Sequence, residues 1–293
     1  MNLKDLDTIS IIGLGLLGGS LGLAVNRIFP QVKRLGFSHR MVTRDKALEA
    51  GTVDHVFSSI KDSVRNSQLV ILASPIGTFA SIMDEMADAL PDGCLVTDVG
   101  STKTLPARWA REKLPKRVQF LGSHPMAGSE QRGVDYARAD LFDDAYCIIT
   151  PTAAVKPHTT AFLRDFWTQL RMHVCQLTPR IHDQVLARIS HLPHMLAVAL
   201  VNCSDTLEIL MCGKGFLDTT RIASGPESIW RDIVCSNPDN IDAAIARLIK
   251  ELTRIRKALQ HGDDRVILDI LTEARVKRNN LVEKKLQRKE LPV

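Results

Sequence analysis

The chain begins with a set of glycines whose spacing suits the binding of a phosphate group. They form the pattern G-x-G-x-x-G, which follows a short apolar run and precedes a segment that favours a helix. In this setting the first glycine permits a tight turn, the second admits a pyrophosphate close to the backbone, and the third lets the helix pack against the strand. We therefore predict a dinucleotide site at this turn. The residues predicted to contact the cofactor there are Gly13, Gly15, Leu16, Leu17 and Gly18.

The end of the second predicted strand bears on which dinucleotide binds. Folds that prefer NAD place a carboxylate there for the ribose 2′-hydroxyl, whereas this chain has Ser38, His39 and Arg40. Ser38 can hydrogen-bond a 2′-phosphate, and the planar guanidinium of Arg40 can pair with that phosphate and stack on the adenine. The pattern favours NADP over NAD, and the alternative is a solvated basic loop that accepts either cofactor. Ser74 and Pro75, which follow a later strand, are also predicted to contact the cofactor.

Two polar residues that follow later strands are candidates for catalysis. Ser101 and His124 come after the predicted strands at 95–99 and 119–123, and doubly wound sheets bind their ligands beyond such carboxyl ends. A histidine with an ordinary pKa of about 6.5 can accept the proton of a hydroxyl while a nicotinamide takes its hydride. We predict that His124 is this base and that Ser101 orients the hydroxyl. The alternatives are a histidine that bonds a backbone carbonyl and a serine that only caps a helix.

The fold that must position these residues is predicted from the alternation of short β-branched runs with helix-length segments. This alternation is typical of βαβ units, and we predict an α/β fold in which an N-terminal Rossmann-type, doubly wound, mostly parallel sheet spans residues 1–178. An all-α domain is predicted to follow over residues 179–293, with the boundary near Pro179. The predicted strands are 8–13, 34–37, 69–73, 95–99, 119–123, 145–150 and 173–177.

The second half shows apolar residues at helical spacing, and no convincing strand follows Pro179. The sheet domain can cover only part of these long amphipathic segments. A two-fold homodimer through the helical domain would bury the rest, and we predict one. The residues with this spacing are Ile241, Ile245, Leu248, Ile249, Leu252, Ile255 and Leu259.

Composition excludes several classes of protein. With 293 residues, 45% hydrophobic and 24% charged, the chain is typical of globular proteins and long enough for two domains. The longest apolar runs fall short of the roughly 20 residues of a membrane span, and no leader precedes the first strand, so we predict a cytoplasmic protein without membrane contact. Six cysteines without a C-x-x-C pair indicate a reducing compartment. The basic tail at 275–289 lacks interleaved aromatic residues, so nucleic-acid binding is not expected.

Six segments, taken in order, resemble the prephenate and arogenate dehydrogenases of tyrosine biosynthesis. The resemblance runs across both predicted domains as far as Trp230, Arg231 and Asp232. The segments are 13–21 (GLGLLGGSL), 98–103 (DVGSTK), 123–130 (SHPMAGSE), 139–142 (ADLF), 189–194 (ISHLPH) and 218–223 (DTTRIA).

This resemblance implies a reaction and a set of roles. Members of this family oxidise the C4 hydroxyl of a cyclohexadienyl ring while the C1 carboxylate leaves as carbon dioxide, turning prephenate into 4-hydroxyphenylpyruvate or arogenate into tyrosine. The resemblance implies that His124 accepts the C4 hydroxyl proton, that Ser101 helps to align the nicotinamide and that Arg221 holds the ring carboxylate. It also implies further substrate-binding residues at the mouth or wall of the pocket, namely Glu130, His194, Asp218 and Trp230.

Other interpretations remain open at this point. A β-hydroxyacid dehydrogenase of the hydroxyisobutyrate or phosphogluconate type would need a lysine on the helix at 181–202, which has none. A dinucleotide-sensing regulator would not need His124 and Arg221 to converge. His191 and His194 stand three apart, but no third ligand is at helical spacing, so no metal is predicted. Prephenate and arogenate cannot be distinguished from these residues.

Overall fold

The computed structural model describes residues 2–128 and 131–287, which divide into two compact units, Met1–Pro238 and Asp239–Val293. The strands are β1 Thr8–Ile12, β2 Lys33–Phe37, β3 His55–Phe57, β4 Leu69–Leu72, β5 Leu95–Asp98, β6 Gln119–Phe120, β7 Gly122–Pro125, β8 Tyr146–Thr150 and β9 His173–Gln176. The helices are α1 Leu16–Ile28, α2 Met41–Glu49, α3 Ile60–Val64, α4 Phe79–Met86, α5 Thr104–Lys113, α6 Pro157–Gln169, α7 Pro179–Leu186, α8 Leu192–Cys203, α9 Thr206–Leu210, α10 Lys214–Thr220, α11 Glu227–Ser236, α12 Pro238–His261 and α13 Asp264–Gln287.

The first unit is built on a parallel sheet of six strands in the order β3-β2-β1-β4-β5-β6. This is the strand order of a Rossmann fold, and it confirms the predicted fold class. The order reverses between β1 and β4, whose registers pair Ile9 with Leu69 and Ile12 with Leu72. The carboxyl ends of β1 and β4 therefore lie side by side, where such sheets bind a dinucleotide.

Both faces of this sheet are covered, because successive residues of a strand point to opposite faces. Ile9 and Ile11 of β1 belong to one apolar cluster, whereas Ile12 belongs to another. Phe79 of α4 is fully buried in the second cluster, and burial of such a side chain contributes roughly 1.5–3 kcal/mol. The unbroken apolar sequence of β4, Leu69–Leu72, follows from this double coverage.

The strand predicted at 119–123 is two strands in the structure. β6 closes the six-stranded sheet, and after Leu121 the chain enters β7, which pairs antiparallel with β8 in a second sheet of the order β7-β8-β9. β7 and β8 approach each other closely at this point. A Cβ atom at Gly122 would lie 2.8 Å from the Thr150 hydroxyl oxygen. His124 therefore lies within a strand instead of following one. The short strand β3 was not predicted, because three residues carry too little periodicity.

A π-helical turn interrupts the helical run that follows β9. The turn spans Ala187–His191 between α7 and α8, and the Leu192 N–H donates to the Ala187 carbonyl five residues back. Pro193 has no N–H to continue the α-helical ladder, which accounts for the wider turn. π turns of this kind are frequent at functional sites.

The run Pro179–Cys203 also has the length and hydropathy of a helix that could cross a membrane. It carries the buried polar residues His182, Asp183 and His191, which are hydrogen-bonded within the first unit. Since helices of folded proteins pass the same test of length and composition, and these polar residues bond within the first unit, we interpret this run as helices of that unit, with 28% of its most apolar window buried.

The second unit is a helical hairpin of α12 and α13. Gly262, with φ +63°, follows the last residue of α12, which is the usual position of a glycine that ends a helix. The Asp263 carboxylate then accepts the Val266 N–H at 3.0 Å and caps α13. From Leu177 to Gln287 the described residues form only helices and turns, as predicted. The division into units falls at Pro238, and the domain boundary near Pro179 stays a prediction.

Candidate active site

The glycine turn after β1 has the geometry that a dinucleotide requires. Gly13 has φ +108°, and a side chain there would lie 2.6 Å from the Ala73 backbone. A side chain at Gly18 would lie 1.9 Å from the Gly13 carbonyl oxygen, so only glycine lets α1 approach the turn. At Gly15, by contrast, an added Cβ meets no atom within 4 Å, which leaves space at the N-terminus of α1. Helix N-termini favour anions, so this space fits a pyrophosphate.

In the loop after β2, side-chain hydrogen bonds hold the backbone in place, and the side chain of Arg40 is exposed. Arg44 donates from Nη1 to the carbonyl oxygens of Ser38, at 2.7 Å, and His39, at 3.3 Å. The His39 ring packs edge-on against Phe37, with centroids 5.0 Å apart. Arg40 is exposed at the N-cap of α2, so its guanidinium is accessible beside the end of β2.

The turn after β4 connects the dinucleotide region to α11. Ser74 Oγ lies 2.9 Å from Thr78 Oγ1, and Pro75 precedes a 3₁₀ turn, Ile76–Thr78. The Gly77 N–H donates to Asp232 Oδ2 at 3.2 Å. Asp232 belongs to α11, the helix that carries Trp230, so this bond joins α11 to the predicted cofactor turn.

A cavity of about 390 Å³ brings together three of the predicted site residues, Ser101, His124 and Trp230. Ser101 reaches it from the segment between β5 and α5, His124 from β7 and Trp230 from α11. The other residues that line it are Pro125, Met126, Ala127, Gly128, Arg138, Leu141, Ala145, Ser190 and Ile233.

His124 is buried beside a second histidine. Its Nδ1 lies 2.9 Å from His182 Nε2, and His182 Nδ1 lies 2.8 Å from Asp183 Oδ1. Burial lowers the pKa of His124 well below its usual value, and the nearby His182, Lys103 and His191 lower it further. His124 is therefore neutral near pH 7 and can act as a base.

A buried ion pair holds the backbone next to His124. Lys103 donates from Nζ to the Asp98 carboxylate and, at 2.7 Å, to the Ser123 carbonyl oxygen. Ser123 in turn donates from its hydroxyl to the Asp98 carbonyl oxygen at 2.6 Å. Burial lowers the pKa of Lys103, and the Asp98 carboxylate opposes that shift. These bonds connect β5, β7 and the start of α5, and they position His124 relative to Ser101.

Trp230 and His194 form a stacked pair beside the cavity. Their ring centroids are 3.4 Å apart with an interplanar angle of 10°. A side chain at Gly225 would lie 2.5 Å from Trp230 Nε1, so the turn before α11 leaves room for the indole only because it is glycine. Burial lowers the pKa of His194, and the Ile222 backbone opposes this shift.

The remaining predicted substrate residues are Arg221, Asp218 and Glu130. Arg221 opens the 3₁₀ turn Arg221–Ser224 directly before Ile222, and Asp218 is exposed on α10. Neither is among the cavity-lining residues of the described chain. Glu130 lies outside the described residues.

Sequence reasoning missed three residues at the site: His182, Asp183 and Arg138. The signal for the first two was present, since a histidine and an aspartate stand among apolar residues on the buried face of α7. Arg138 also lines the cavity. In residues 2–128 and 131–287, no cluster of three His, Cys, Asp or Glu side chains could hold a metal ion.

A Rossmann sheet with a glycine turn that fits a dinucleotide, together with a cavity that holds a neutral, buried histidine, defines a nicotinamide-dependent dehydrogenase as the class of protein. Two domain families match the chain: residues 21–176 match "Prephenate dehydrogenase, nucleotide-binding domain", and residues 178–273 match "Prephenate dehydrogenase, dimerization domain". The first match starts after the glycine turn, so the assignment of that turn rests on its geometry.

Individual relatives agree with the domain families. The chain is 35% identical to prephenate dehydrogenase of Bacillus subtilis, over 88% of this chain and 71% of the relative. It is 31% identical to cyclohexadienyl dehydrogenase of Zymomonas mobilis, over 91% and 93% of the two chains. The structure of Aquifex aeolicus prephenate dehydrogenase in complex with hydroxyphenyl propionate and NAD+ superposes with a TM-score of 0.89 at 30% identity, covering 94% of this chain and 99% of that one. The chain belongs to the prephenate dehydrogenase family.

Proposed function

We propose that this protein catalyses the oxidative decarboxylation of prephenate, arogenate or both, with hydride transfer to NAD(P). The observation that carries the proposal is His124, a buried and neutral histidine that shares one cavity with Ser101 and Trp230. Relatives named prephenate and cyclohexadienyl dehydrogenase, and a solved relative that holds hydroxyphenyl propionate and NAD+, support this reaction.

Three residues of the cavity, together with Arg221 outside its lining, suit each requirement of the reaction. His124 accepts the proton of the ring hydroxyl through Nε2, because its Nδ1 is engaged by His182. Ser101 orients the hydroxyl, and the indole of Trp230 forms one side of the cavity that holds the ring. Arg221, one residue from the Ile222 backbone beside His194, is proposed to hold the ring carboxylate in a bidentate pair. When bound, the nicotinamide supplies the hydride acceptor, and aromatisation of the ring favours loss of carbon dioxide.

Steady-state kinetics with prephenate and arogenate, each with NAD+ and NADP+, test the proposal. We expect turnover with at least one of these four pairs. His124→Asn should lower kcat by about 10²–10⁴-fold, the usual contribution of a general base. Arg221→Gln should raise KM for the ring substrate about 10-fold or more, because a hydrogen bond to a charged group is lost.

His158→Gln serves as the matched control, since His158 is exposed on the first turn of α6. Its kinetics should equal those of the unmodified protein. Unchanged turnover in both the His124 and the Arg221 variants would contradict the proposal. So would a protein that binds dinucleotide but oxidises neither substrate.

We further propose that NADP is preferred to NAD. Arg40 is exposed beside the end of β2, and the backbone of the loop before it is braced by Arg44. Arg40→Gln should lower kcat/KM for NADP+ and leave that for NAD+ within about 2-fold, because only the 2′-phosphate loses a charged partner. Equal effects on both cofactors, or an NAD preference in the unmodified protein, would refute this preference.

The assembly and location of the protein are also proposed. A homodimer through residues 179–293 fits the match of residues 178–273 to a dimerization domain. The free thiols of Cys94 and Cys147 are buried, which suits the reducing cytoplasm. The partner of the enzyme is its small-molecule substrate, and we propose no nucleic-acid or membrane partner.

A further inference from the structure

Three side chains form a hydrogen-bonded series that ends at the proposed base. His124 Nδ1, on β7, lies 2.9 Å from His182 Nε2, and His182 Nδ1, on α7, lies 2.8 Å from Asp183 Oδ1. Both histidines and the aspartate are buried. The proposed reaction needs His124 but assigns no role to the other two residues.

The far end of the series can only accept hydrogen bonds. Asp183 Oδ1 accepts the Lys103 N–H at 2.8 Å, and Oδ2 accepts the Thr104 N–H at 2.8 Å. Burial raises the pKa of Asp183, but the bonds from His182, Thr104 and Lys103 outweigh this effect and hold it below the usual value. The group is therefore a carboxylate, and the proton shared with His182 must reside on His182 Nδ1.

The protonation of the other ring nitrogens follows from this. Burial lowers the pKa of His182, so the ring is neutral and its Nε2 carries a lone pair. The atom that faces this lone pair, His124 Nδ1, must then be the donor. His124 is neutral as well, which leaves Nε2 unprotonated and available to a ligand in the cavity that His124 lines.

We propose that His182 and Asp183 are positioning residues that act through His124: they hold it in the Nδ1–H tautomer, and His182 takes the Nδ1 proton while the substrate's proton rests on Nε2. This inference rests on the proposed function and adds a place for the proton during the reaction.

The stoichiometry of the reaction explains why such a place is useful. The hydroxyl proton goes to His124 Nε2, the C4 hydride goes to the oxidised nicotinamide, and the electrons of the breaking C1–carboxylate bond enter the ring. The resulting phenolate oxygen then takes the proton back, so the overall reaction releases carbon dioxide and no proton. A base that must return its proton gains from a second site that is shielded from water.

The charges around the series favour His182 as that second site. Lys103 opposes a positive charge on either ring. The Asp183 carboxylate, 2.8 Å from His182 Nδ1, favours a charge on His182, whereas His191, when protonated, further opposes a charge on His124. Asp98 also acts favourably on His182. The transfer is internal and balanced: Nδ1–H of His124 breaks as Nε2–H of His182 forms, and both revert when the phenolate is protonated.

The tautomers can be measured without turnover. In protein labelled with ¹⁵N-histidine, imidazole correlation spectra at neutral pH should show Nδ1 protonated and Nε2 unprotonated in both His124 and His182. The spectrum of His158→Gln provides a control that leaves these signals unchanged. A His124 ring protonated at Nε2 overturns the inference, whatever the substrate of the enzyme.

The kinetics of two substitutions at His182 distinguish two roles: taking the His124 proton, and only fixing the His124 tautomer. In His182→Gln, the amide can still accept from His124 and donate to Asp183 but cannot take a proton, and kcat should fall about 10-fold, part of the contribution of a general base. In His182→Leu, tautomer control is lost as well, and kcat should fall about 100-fold or more. KM for prephenate and for the dinucleotide should stay within about 2-fold in both, since His182 is not among the residues that line the cavity.

Each outcome distinguishes this inference from the proposed function. Full kcat in His182→Leu overturns it, and full kcat in His182→Gln overturns the proton-holding role. Absence of turnover in the unmodified protein with all four substrate–cofactor pairs contradicts the proposed function, while the spectra still decide the tautomer. Circular dichroism and dinucleotide binding establish folding of the variants. If neither variant folds, the spectra of the unmodified protein decide.

Discussion

At the scale of single residues, the site depends on charged groups that are buried with their partners. Lys103 and Asp98 are fully buried and bonded to each other, and Lys103 also bonds the backbone carbonyl that precedes His124. Burial is unfavourable for either charge alone, so each requires the other. The pair accordingly orders the base more than it adds net stability.

Lys103→Met tests this role at the residue scale. It leaves the Asp98 carboxylate buried without its cation, and we expect the free energy of unfolding to fall by about 3–5 kcal/mol. Denaturant unfolding followed by circular dichroism measures the change. Lys113→Met is the matched control, because Lys113 pairs with Asp84 at the surface and its loss should cost at most about 1 kcal/mol. Equal losses in the two variants would contradict the interpretation.

At the scale of elements, the dinucleotide turn depends on two glycines for different reasons. Gly18 is needed because α1 approaches the turn, whereas Gly15 borders open space. One glycine therefore serves the packing of helix on strand, and the other serves the approach of the ligand.

Alanine at these two positions should separate packing from binding. Gly18→Ala places Cβ 1.9 Å from the Gly13 carbonyl oxygen, so we expect both a lower melting temperature and weaker dinucleotide binding. Gly15→Ala should leave the melting temperature within about 2 °C, in keeping with a substitution in open space, while KM for the dinucleotide rises. Thermal unfolding and cofactor titration measure both. An unchanged melting temperature in Gly18→Ala would show that the helix does not pack as described.

The π-helical turn is a second feature at this scale. It lies between α7, which carries His182 and Asp183, and α8, which carries His194. By adding a residue to one turn, it changes which side chains after it face the first unit's core. His191, the last residue of the turn, and His194, in the first turn of α8, are both buried.

At the scale of the whole molecule, buried neutral histidines make stability depend on pH. Burial lowers the pKa of His191 to about 4, against an unfolded value of about 6.5, and burial lowers those of His124 and His182 as well. Between these values the unfolded chain binds more protons than the folded one. Stability should therefore fall as the pH decreases from about 6.5 towards 4.

Denaturant unfolding at a series of pH values measures this slope. Each such histidine contributes up to about 1.4 kcal/mol per pH unit within the window. His191→Gln removes one of them, so its slope should be smaller by about that amount, whatever its stability at neutral pH. Stability that rises as the pH falls from about 6.5 would contradict the assignment of these histidines as neutral and buried.

The proposed dimer is a further property of the whole molecule. Leu268 and Leu271 of α13 are 64% and 63% exposed, which is unusual for large apolar side chains at neighbouring helical positions. We expect light scattering to give twice the chain mass of 32.5 kDa for the unmodified protein. Leu268→Glu with Leu271→Glu should give the monomer, whereas Asn279→Glu with Asn280→Glu, exposed on the same helix, should not. A monomeric unmodified protein would contradict the proposed homodimer.

Local pattern was sufficient to predict much of this protein. The glycine spacing at 13–18, the alternation of strands and helices and the helical second half are short-range properties of the chain, and the structure agrees with each. Backbone preferences and hydrophobic periodicity act over a few residues, so they can be read without knowledge of distant contacts. The order of six motifs was likewise sufficient to predict the family.

The environment of the base could not be predicted in this way. His182 stands 58 residues from His124, and their contact depends on how α7 packs beside β7. The division of one predicted strand into β6 and β7 depends on pairing with β8, which local sequence does not encode. Burial and long-range hydrogen bonding lower the pKa of His124 and underlie its proposed tautomer, because both depend on groups that only folding brings into contact.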